Sequence, residues 1–378
     1  MKTGVMNRHG AFLSLRLWTI LTVGAFSIGV CPPHLSPTFK EGPAHSAVSA
    51  PQRPAIYPPL LTAYITVEGR APHVPAITEV EQSFIASGLF GHMFPVLEDL
   101  PKLATLGRKS SVPGDPEQIL LLAPDAILVW SWATGGLEKI GISFERITST
   151  DVLESWRQLG GFIHDPQRAD RLIASSEQSK AALIKMVGDL PRGKGQRALI
   201  LWRNSPDVWH IAGSAHRDAQ YLVDLGADIP PRLPFEKHIS IGSLQIGREE
   251  LLELDPDIIF LSCCVAVNDV PQTFYDDPSM QPLKAVRTHR IYKEPVGGGR
   301  MDGVVETPLM LRWYAELLYP DQLDSQFRED FKSTYQQVYN FPIGDDEFDP
   351  TIFLKENSSS VNYARFTRSA LQGTGTQN

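Results

Sequence analysis

The sequence predicts an α/β protein of two lobes with mostly parallel sheets, joined by one long α-helix. Three observations carry this. A motif of a short helix, a Pro-Asp turn and an apolar strand occurs twice. Each copy ends in a strand with no polar residue. Between the copies runs a single long stretch of helical periodicity.

The two copies are EQILLLAPDAILV (117–129) and EELLELDPDIIFL (249–261). Glu117, Leu120, Leu122, Pro124, Asp125 and Ile127 recur at one constant offset as Glu249, Leu252, Leu254, Pro256, Asp257 and Ile259. In the first copy Asp115 is placed to cap a helix with Pro116 at its first position, and Glu117 suits the positive end of the helix dipole. Pro124 stops the helix, Asp125 turns the chain, and residues 126–129 form a continuous apolar strand. A wholly apolar strand after a helix indicates a parallel sheet buried on both faces. The second copy repeats the plan, so both lobes are α/β.

Between them Asp165 and Pro166 open a helix whose apolar stripe runs through Ala169, Leu172, Ile173, Leu183, Ile184 and Val187. Over 166–187 it would be about 33 Å long at 1.5 Å per residue. Further strands are predicted at 198–202, 208–211, 258–261 and 290–293. Helices are predicted near 215–225, 308–318 and 327–339, followed by a polar, frayed end. The expected organisation is a signal segment and flexible lead-in over 1–50, a first lobe over 51–162, the linking helix within 163–190, a second lobe over 191–320 and a tail over 321–378.

Bulk properties narrow the function. With 378 residues, 42% hydrophobic and 21% charged, the chain is long enough for two domains. A net charge of -8 and the absence of long Lys/Arg runs argue against nucleic acid. Lys2, Arg8 and Arg16 precede an uncharged apolar run at 17–30, followed by a Pro-rich stretch. That is the arrangement of a secretory signal, and the run is shorter than the roughly 20 residues that span a bilayer. Export to the periplasm or cell envelope is expected. Cys31 stands where a lipoprotein carries its acylated cysteine, but Val30 before it departs from the small residue such signals use, so anchoring stays open. Cys263 and Cys264 are the remaining cysteines and receive no function.

The segments PEQILLLAPD (116–125), REELLELDPD (248–257), DPSMQPLKAVRTHRIY (277–292) and LRWYAELLYP (311–320) resemble, as an ordered set, the periplasmic solute-binding proteins of ABC importers for iron-siderophore, haem or cobalamin. The resemblance covers most of residues 80–320. It implies two Rossmann-like lobes bridged by one helix, with solute held between them and delivered to an ABC permease and its ATPase. It also implies a permease-docking glutamate on each lobe, which position in the motif assigns to Glu117 and Glu249.

Solutes of open α/β sheets lie beyond the carboxyl ends of strands. Trp130 and Trp132 hold those positions in the first lobe. In the second they are Arg203, the turn bearing His216 and Arg217, and the loop GGGRM (297–301) with Arg300 and Met301. Aromatic planes offer flat apolar surface, and arginines offer permanent charge with forked donors for anionic oxygens. This mixture suits a bulky, partly anionic iron chelate as ligand, with no resident cofactor and a monomeric protein.

Rival readings are a binding protein for cobalamin, haem or a bare divalent ion held by histidines such as His73, His92, His210 and His216, or an α/β enzyme. The glycine loop has Asp302 where a dinucleotide fingerprint needs its third glycine, and no nucleophile-elbow or zincin motif occurs, so the expectation is that the protein is not an enzyme.

Overall fold

The computed structural model describes residues 50–368 apart from 58–59, 71–72, 79–87, 104–115, 132–140, 142–143, 150, 191–194, 206–207, 215, 230–237, 241, 264–268 and 302. The signal segment, Cys31, Asp115, Trp132 and Cys264 lie outside the described residues.

The first lobe runs β1 (Ala55–Ile56), α1 (Leu60–Glu68), β2 (Ile77–Thr78), α2 (Leu89–Met93), α3 (Val96–Asp99) and β3 (Lys102–Leu103). It continues with α4 (Pro116–Leu121), β4 (Ile127–Trp130), β5 (Phe144–Ile147) and α5 (Val152–Ile163). Its main sheet has the order β1-β4-β5 and is parallel throughout, with β2 and β3 as a separate parallel pair. The linking helix is α6 (Pro166–Gly188).

The second lobe runs β6 (Ala198–Ser205), β7 (Val208–Ala212), α7 (Arg217–Asp224), β8 (His238–Ser240), β9 (Ser243–Ile246), α8 (Arg248–Leu254) and β10 (Ile258–Leu261). After it come α9 (Pro271–Tyr275), α10 (Lys284–Arg287), β11 (Ile291–Lys293) and α11 (Thr307–Leu318), then α12 (Phe327–Tyr339) and α13 (Asp345–Thr351). The sheet order is β11-β10-β6-β7-β9-β8. Strands β11, β10 and β6 are mutually parallel, while β7, β9 and β8 add on antiparallel. Only residues 206 and 207 separate β6 from β7, too few for a parallel crossover, so that pair is antiparallel.

The repeated Pro-Asp turn has a structural role that its recurrence reflects. Asp125 accepts the backbone N–H groups of Gln52 (2.6 Å) and Arg53 (3.0 Å) just before β1. Asp257 accepts that of Arg197 (2.7 Å) just before β6. In each lobe the aspartate fixes the incoming strand beside the strand that follows the motif, β4 or β10.

Helix α6 starts as its sequence requires: the Asp165 carboxylate accepts the N–H of Arg168 (2.9 Å), with proline in the first turn. Its buried side chains Ala169, Ile173, Ser176, Leu183 and Val187 belong to one face. At Gly160 of α5 a Cβ would come within 2.6 Å of the Ala169 Cβ, so the two helices cross at a glycine. Arg168 then joins three elements, donating from Nε to the Val67 carbonyl of α1 (2.7 Å) and from Nη2 to the Val338 carbonyl of α12 (2.7 Å).

The end of the chain differs from its sequence expectation. Beyond the helix predicted at 327–339 its polar residues suggest fraying, yet Phe348, Tyr363 and Phe366 are fully buried there, as are Phe327, Phe331 and Tyr335 of the helix itself. Helix α12 inserts against the first lobe: the Tyr339 hydroxyl meets Thr66 Oγ1 (2.8 Å), and its ring meets Phe90 edge-on at 5.5 Å. Arg328 sits 2% exposed between Asp345 (2.7 Å) and Asp349, with its guanidinium 4.2 Å from the Phe348 ring. The polar letters of this segment pair with one another around the buried Arg328, whose partners Asp345 and Asp349 stay partly exposed.

One hydrophobic core consequently spans the first lobe, α6, one face of the second sheet and the tail. A second core fills the opposite face of the second sheet, under α8, α9 and α10.

Glu316 of α11 is wholly buried, and its Oε1 accepts the N–H groups of Gln326 (2.8 Å) and Phe327 (2.9 Å) at the start of α12. Burial pushes its carboxyl up to about 7. The native state therefore holds a proton that the unfolded chain releases above the ordinary carboxylate range, and this contribution to stability is lost as pH rises through about 7. Thermal melting is expected to fall between about pH 5 and pH 8 and to fall less steeply in Glu316→Gln.

Candidate functional site

Parallel pairing sets the floor of the site. Ser262 N–H donates to the Leu201 carbonyl (2.9 Å), and Glu294 N–H donates to the Leu261 carbonyl (2.9 Å). These bonds bring Trp202, Ser262 and Glu294 to one level, at the carboxyl ends of the parallel strands. Strand alternation decides which face each residue serves. Ile200, Phe260 and Tyr292 belong to the large core, so Trp202, Ser262 and Glu294, each two residues on, share that face. Trp202 stacks on His210 across β7, with ring centroids 5.8 Å apart.

Helix α7 begins beside this floor. His216 occupies its N-cap with extended backbone, and its Nδ1 accepts the Asp218 N–H (3.3 Å), while its ring lies 5.7 Å from Trp202. The Asp218 side chain is 10% exposed, with two guanidiniums and the His216 ring beside it. Arg300 Nη2 donates to it at 2.8 Å, His216 Nδ1 lies at 3.7 Å and Arg217 Nε at 3.9 Å. The Arg217 and Arg300 side chains remain about two-fifths exposed, at 39% and 41%. Beneath them Glu294 is 3% exposed and accepts the Tyr314 hydroxyl at 2.5 Å.

Arg300 belongs to the glycine loop, which is closed by the Val296–Arg300 bridge and by Gly297 N–H on the Gly299 carbonyl (2.9 Å). Three consecutive glycines let a backbone approach other atoms closely, a solute among them. In the structure those atoms are the protein's own. A Cβ at Gly298 would stand 2.2 Å from the Phe90 ring, one at Gly299 2.9 Å from Thr62 Oγ1, and one at Gly297 2.5 Å from the Tyr335 hydroxyl. Gly298 N–H also donates to Glu306 Oε1 (2.9 Å) and Tyr335 (2.8 Å). The glycines let the loop seat against α1, α2 and α12, which fixes Arg300 at the junction of the lobes.

The structure therefore brings Arg300, Arg217 and His216 together. Arg203 it does not. One residue beyond Trp202, it points to the opposite face of the sheet, where its Nε donates to Asp269 (2.8 Å) and its guanidinium lies 4.6 Å from the Trp209 ring. Met301 is 4% exposed within the large core. Trp130 is half-buried at the end of β4, and its indole N–H has no hydrogen-bond partner among the described residues. Trp132 lies outside the described residues. Glu117 and Glu249 are both exposed, in the first turns of α4 and α8. At α8 the neighbouring Glu250 supplies the carboxylate that caps the Gly247 N–H, so Glu249 is not needed for the cap.

Of the histidines considered for a bare ion, His73 and His92 lie apart, while His210 and His216 both adjoin Trp202. His73 is near Glu68 (3.4 Å), His92 near Glu347 (3.0 Å), and His210 against Trp202. Among the described residues no three His, Cys, Asp or Glu side chains gather at one point. Sequence reasoning missed Trp202, Asp218, Ser262, Glu294 and Tyr314 as site residues. For Ser262 the signal was present, since it directly follows the apolar strand β10, whereas Glu294 follows Lys293 and carries no such mark.

The family described as "Periplasmic binding protein" matches residues 98–295. The chain belongs to this family. It is a family of binding proteins rather than enzymes, and among solved structures the same architecture recurs. A periplasmic solute-binding protein from Veillonella parvula superposes with a TM-score of 0.69 at 24% identity, covering 82% of this chain and 94% of that one. MolA of Haemophilus influenzae, bound to molybdate, gives 0.62 at 16% identity over 79% and 96% of the two chains. CeuE of Helicobacter pylori, in a Ni-His complex, gives 0.58 at 17% identity over 80% and 94%. At these identities the likeness is one of fold. No curated protein matches the sequence.

The loop packing yields a test. Gly298→Ala places a methyl group into the Phe90 ring and is expected to destabilise the protein by about 1–3 kcal/mol in urea denaturation. In the Phe90→Ala background the same change should cost less, which a double-mutant cycle measures.

Proposed function

We propose that this periplasmic binding protein captures an anionic metal chelate of the iron-siderophore type between its lobes and delivers it to an ABC permease driven by an ATPase. The observation that carries the reading is the grouping of Arg217 and Arg300 at the N-terminus of α7, beside Trp202 and at the lobe junction. Two guanidiniums at a helix N-terminus favour anionic oxygens, and the adjoining aromatic rings suit a flat or bulky complex. Helix α4 passes to β4 and α8 to β10 through the same Pro-Asp turn, so Glu117 and Glu249 hold equivalent places on the two lobes and are suited to matched contacts with basic groups of a permease. Residues 1–50 are read as the export segment, and the delivered protein as a monomer.

Tryptophan emission of the purified protein, titrated with ferric hydroxamates, ferric catecholates, haemin, cobalamin, molybdate and free zinc or manganese, tests the solute class. Saturable quenching by a ferric chelate is expected, with affinity reduced by at least tenfold in Arg300→Ala, a loss of about 1.4 kcal/mol or more. Binding of a bare ion, molybdate, haemin or cobalamin alone would replace the chelate reading with that solute.

The docking reading separates capture from transport. In the double variant Glu117→Lys, Glu249→Lys, chelate quenching should persist while uptake into cells falls by more than tenfold. Each change alters the local helix dipole by only about 0.3–1 kcal/mol, so folding should survive. Unchanged uptake would remove these glutamates from docking.

A further inference from the structure

Glu294 is buried directly under the arginine-lined mouth, in a position where a binding site for anions would not be expected to carry an acid. Its hydrogen-bond partners are neutral: the Tyr314 hydroxyl from α11, at 2.5 Å, and the Ser262 hydroxyl at the end of β10. The charged groups facing it are the Asp218 carboxylate from α7 and the Arg300 guanidinium from the glycine loop. Arg300 is itself bonded to Asp218, around which His216 and Arg217 also gather. Lys293, although adjacent in sequence, faces the other side of the sheet and donates from Nζ to the Asp269 carbonyl (3.0 Å). Ionised Glu294 would thus place a second buried carboxylate beside one cation already engaged by the first.

We infer that Glu294 is a proton-linked positioning residue of the solute site: it holds a proton while an anionic solute is bound, and its ionisation weakens capture. This rests on the reading of the cleft as an anion-binding site. The proton exchanges with solvent, so the step is Glu294 carboxylate plus a proton giving the neutral acid. Burial, and then the Asp218 charge, push this carboxyl up to about 7. A solute anion at Arg217 and Arg300 adds negative charge above it and raises its proton affinity further. By reciprocity, the protonated protein binds the anion more tightly. Tyr314 stays a neutral donor, because burial and then the Glu294 charge hold its own proton well above the usual tyrosine range.

The test uses a ferric tris-catecholate complex as probe, titrated calorimetrically between about pH 6 and pH 8 in two buffers of different ionisation heat. Wild-type protein is expected to lose on the order of tenfold in affinity across that range and to take up about half a proton on binding near neutrality. Glu294→Gln should bind with nearly constant affinity and take up none. Any titration of the probe itself is common to both proteins and cancels in the comparison. Tyr314→Phe, which removes a donor that favours the ionised form, should move the midpoint of the pH profile upward. A flat wild-type profile, or the same slope and proton uptake in Glu294→Gln, overturns the coupling while leaving the anion site standing. Absence of binding by both proteins at every pH overturns the anion-site reading and the coupling with it.

Discussion

The linking helix α6 and the tail helix α12 share one packing problem, and its solution constrains the rest of the molecule. Among the described residues the first lobe's main sheet has three strands, against six in the second lobe. A three-stranded sheet cannot bury its apolar faces alone. The large core closes because α6 lies across both lobes and α12 fills the remaining gap, with Arg168 bonded to the backbones of α1 and α12 from its place on α6. Buried side chains interdigitate at crystal-like density, so sliding one lobe against the other would break many contacts together. A binding protein built in this way holds its cleft largely preformed.

The site inherits its geometry from that packing. Arg300 reaches Asp218 because the glycine loop is pressed between Phe90, Thr62 and Tyr335. Trp202, Ser262 and Glu294 share a level because the parallel ladder continues one step beyond each strand. Positively charged groups at the mouth and an acid below them form a graded electrostatic environment, with its burial set by the strands and its charge by α7 and the loop. Rigid elements hold such a constellation more accurately than mobile loops do.

Much of the fold was legible in the sequence. The repeated Pro-Asp motif, the Asp165 cap and the apolar strands act locally, and local chemistry survives in a linear reading. The site was legible in part. Arg300, Arg217 and His216, chosen because they follow strands or open a helix, are the predicted residues that lie together. Arg203 was grouped with them although it lies one residue past Trp202, and a period of two sends neighbours to opposite faces. Glu294 was passed over because it follows Lys293 at a strand end, where two adjacent charged letters read as solvated surface. The end beyond the helix at 327–339 was read as frayed because its letters are polar, and only its pairing of Asp345 and Asp349 with the buried Arg328 of that helix ties it down. The glycines at 297–299 signalled close approach correctly, but the approaching atoms come from residues more than two hundred positions earlier and several dozen later, which no local window reveals.

The contact between Thr66 and Tyr339 also bears on how the chain assembles. Synthesis proceeds from the amino end, so α1 emerges long before the residue that completes its surroundings. Until α12 arrives, Tyr64, Phe90 and their neighbours present apolar surface with no cover, which is the condition under which partly made chains associate wrongly. The last portion of the polypeptide thus acts as a closing wedge, and shortening it would be felt first in yield and recovery, before any change in solute preference.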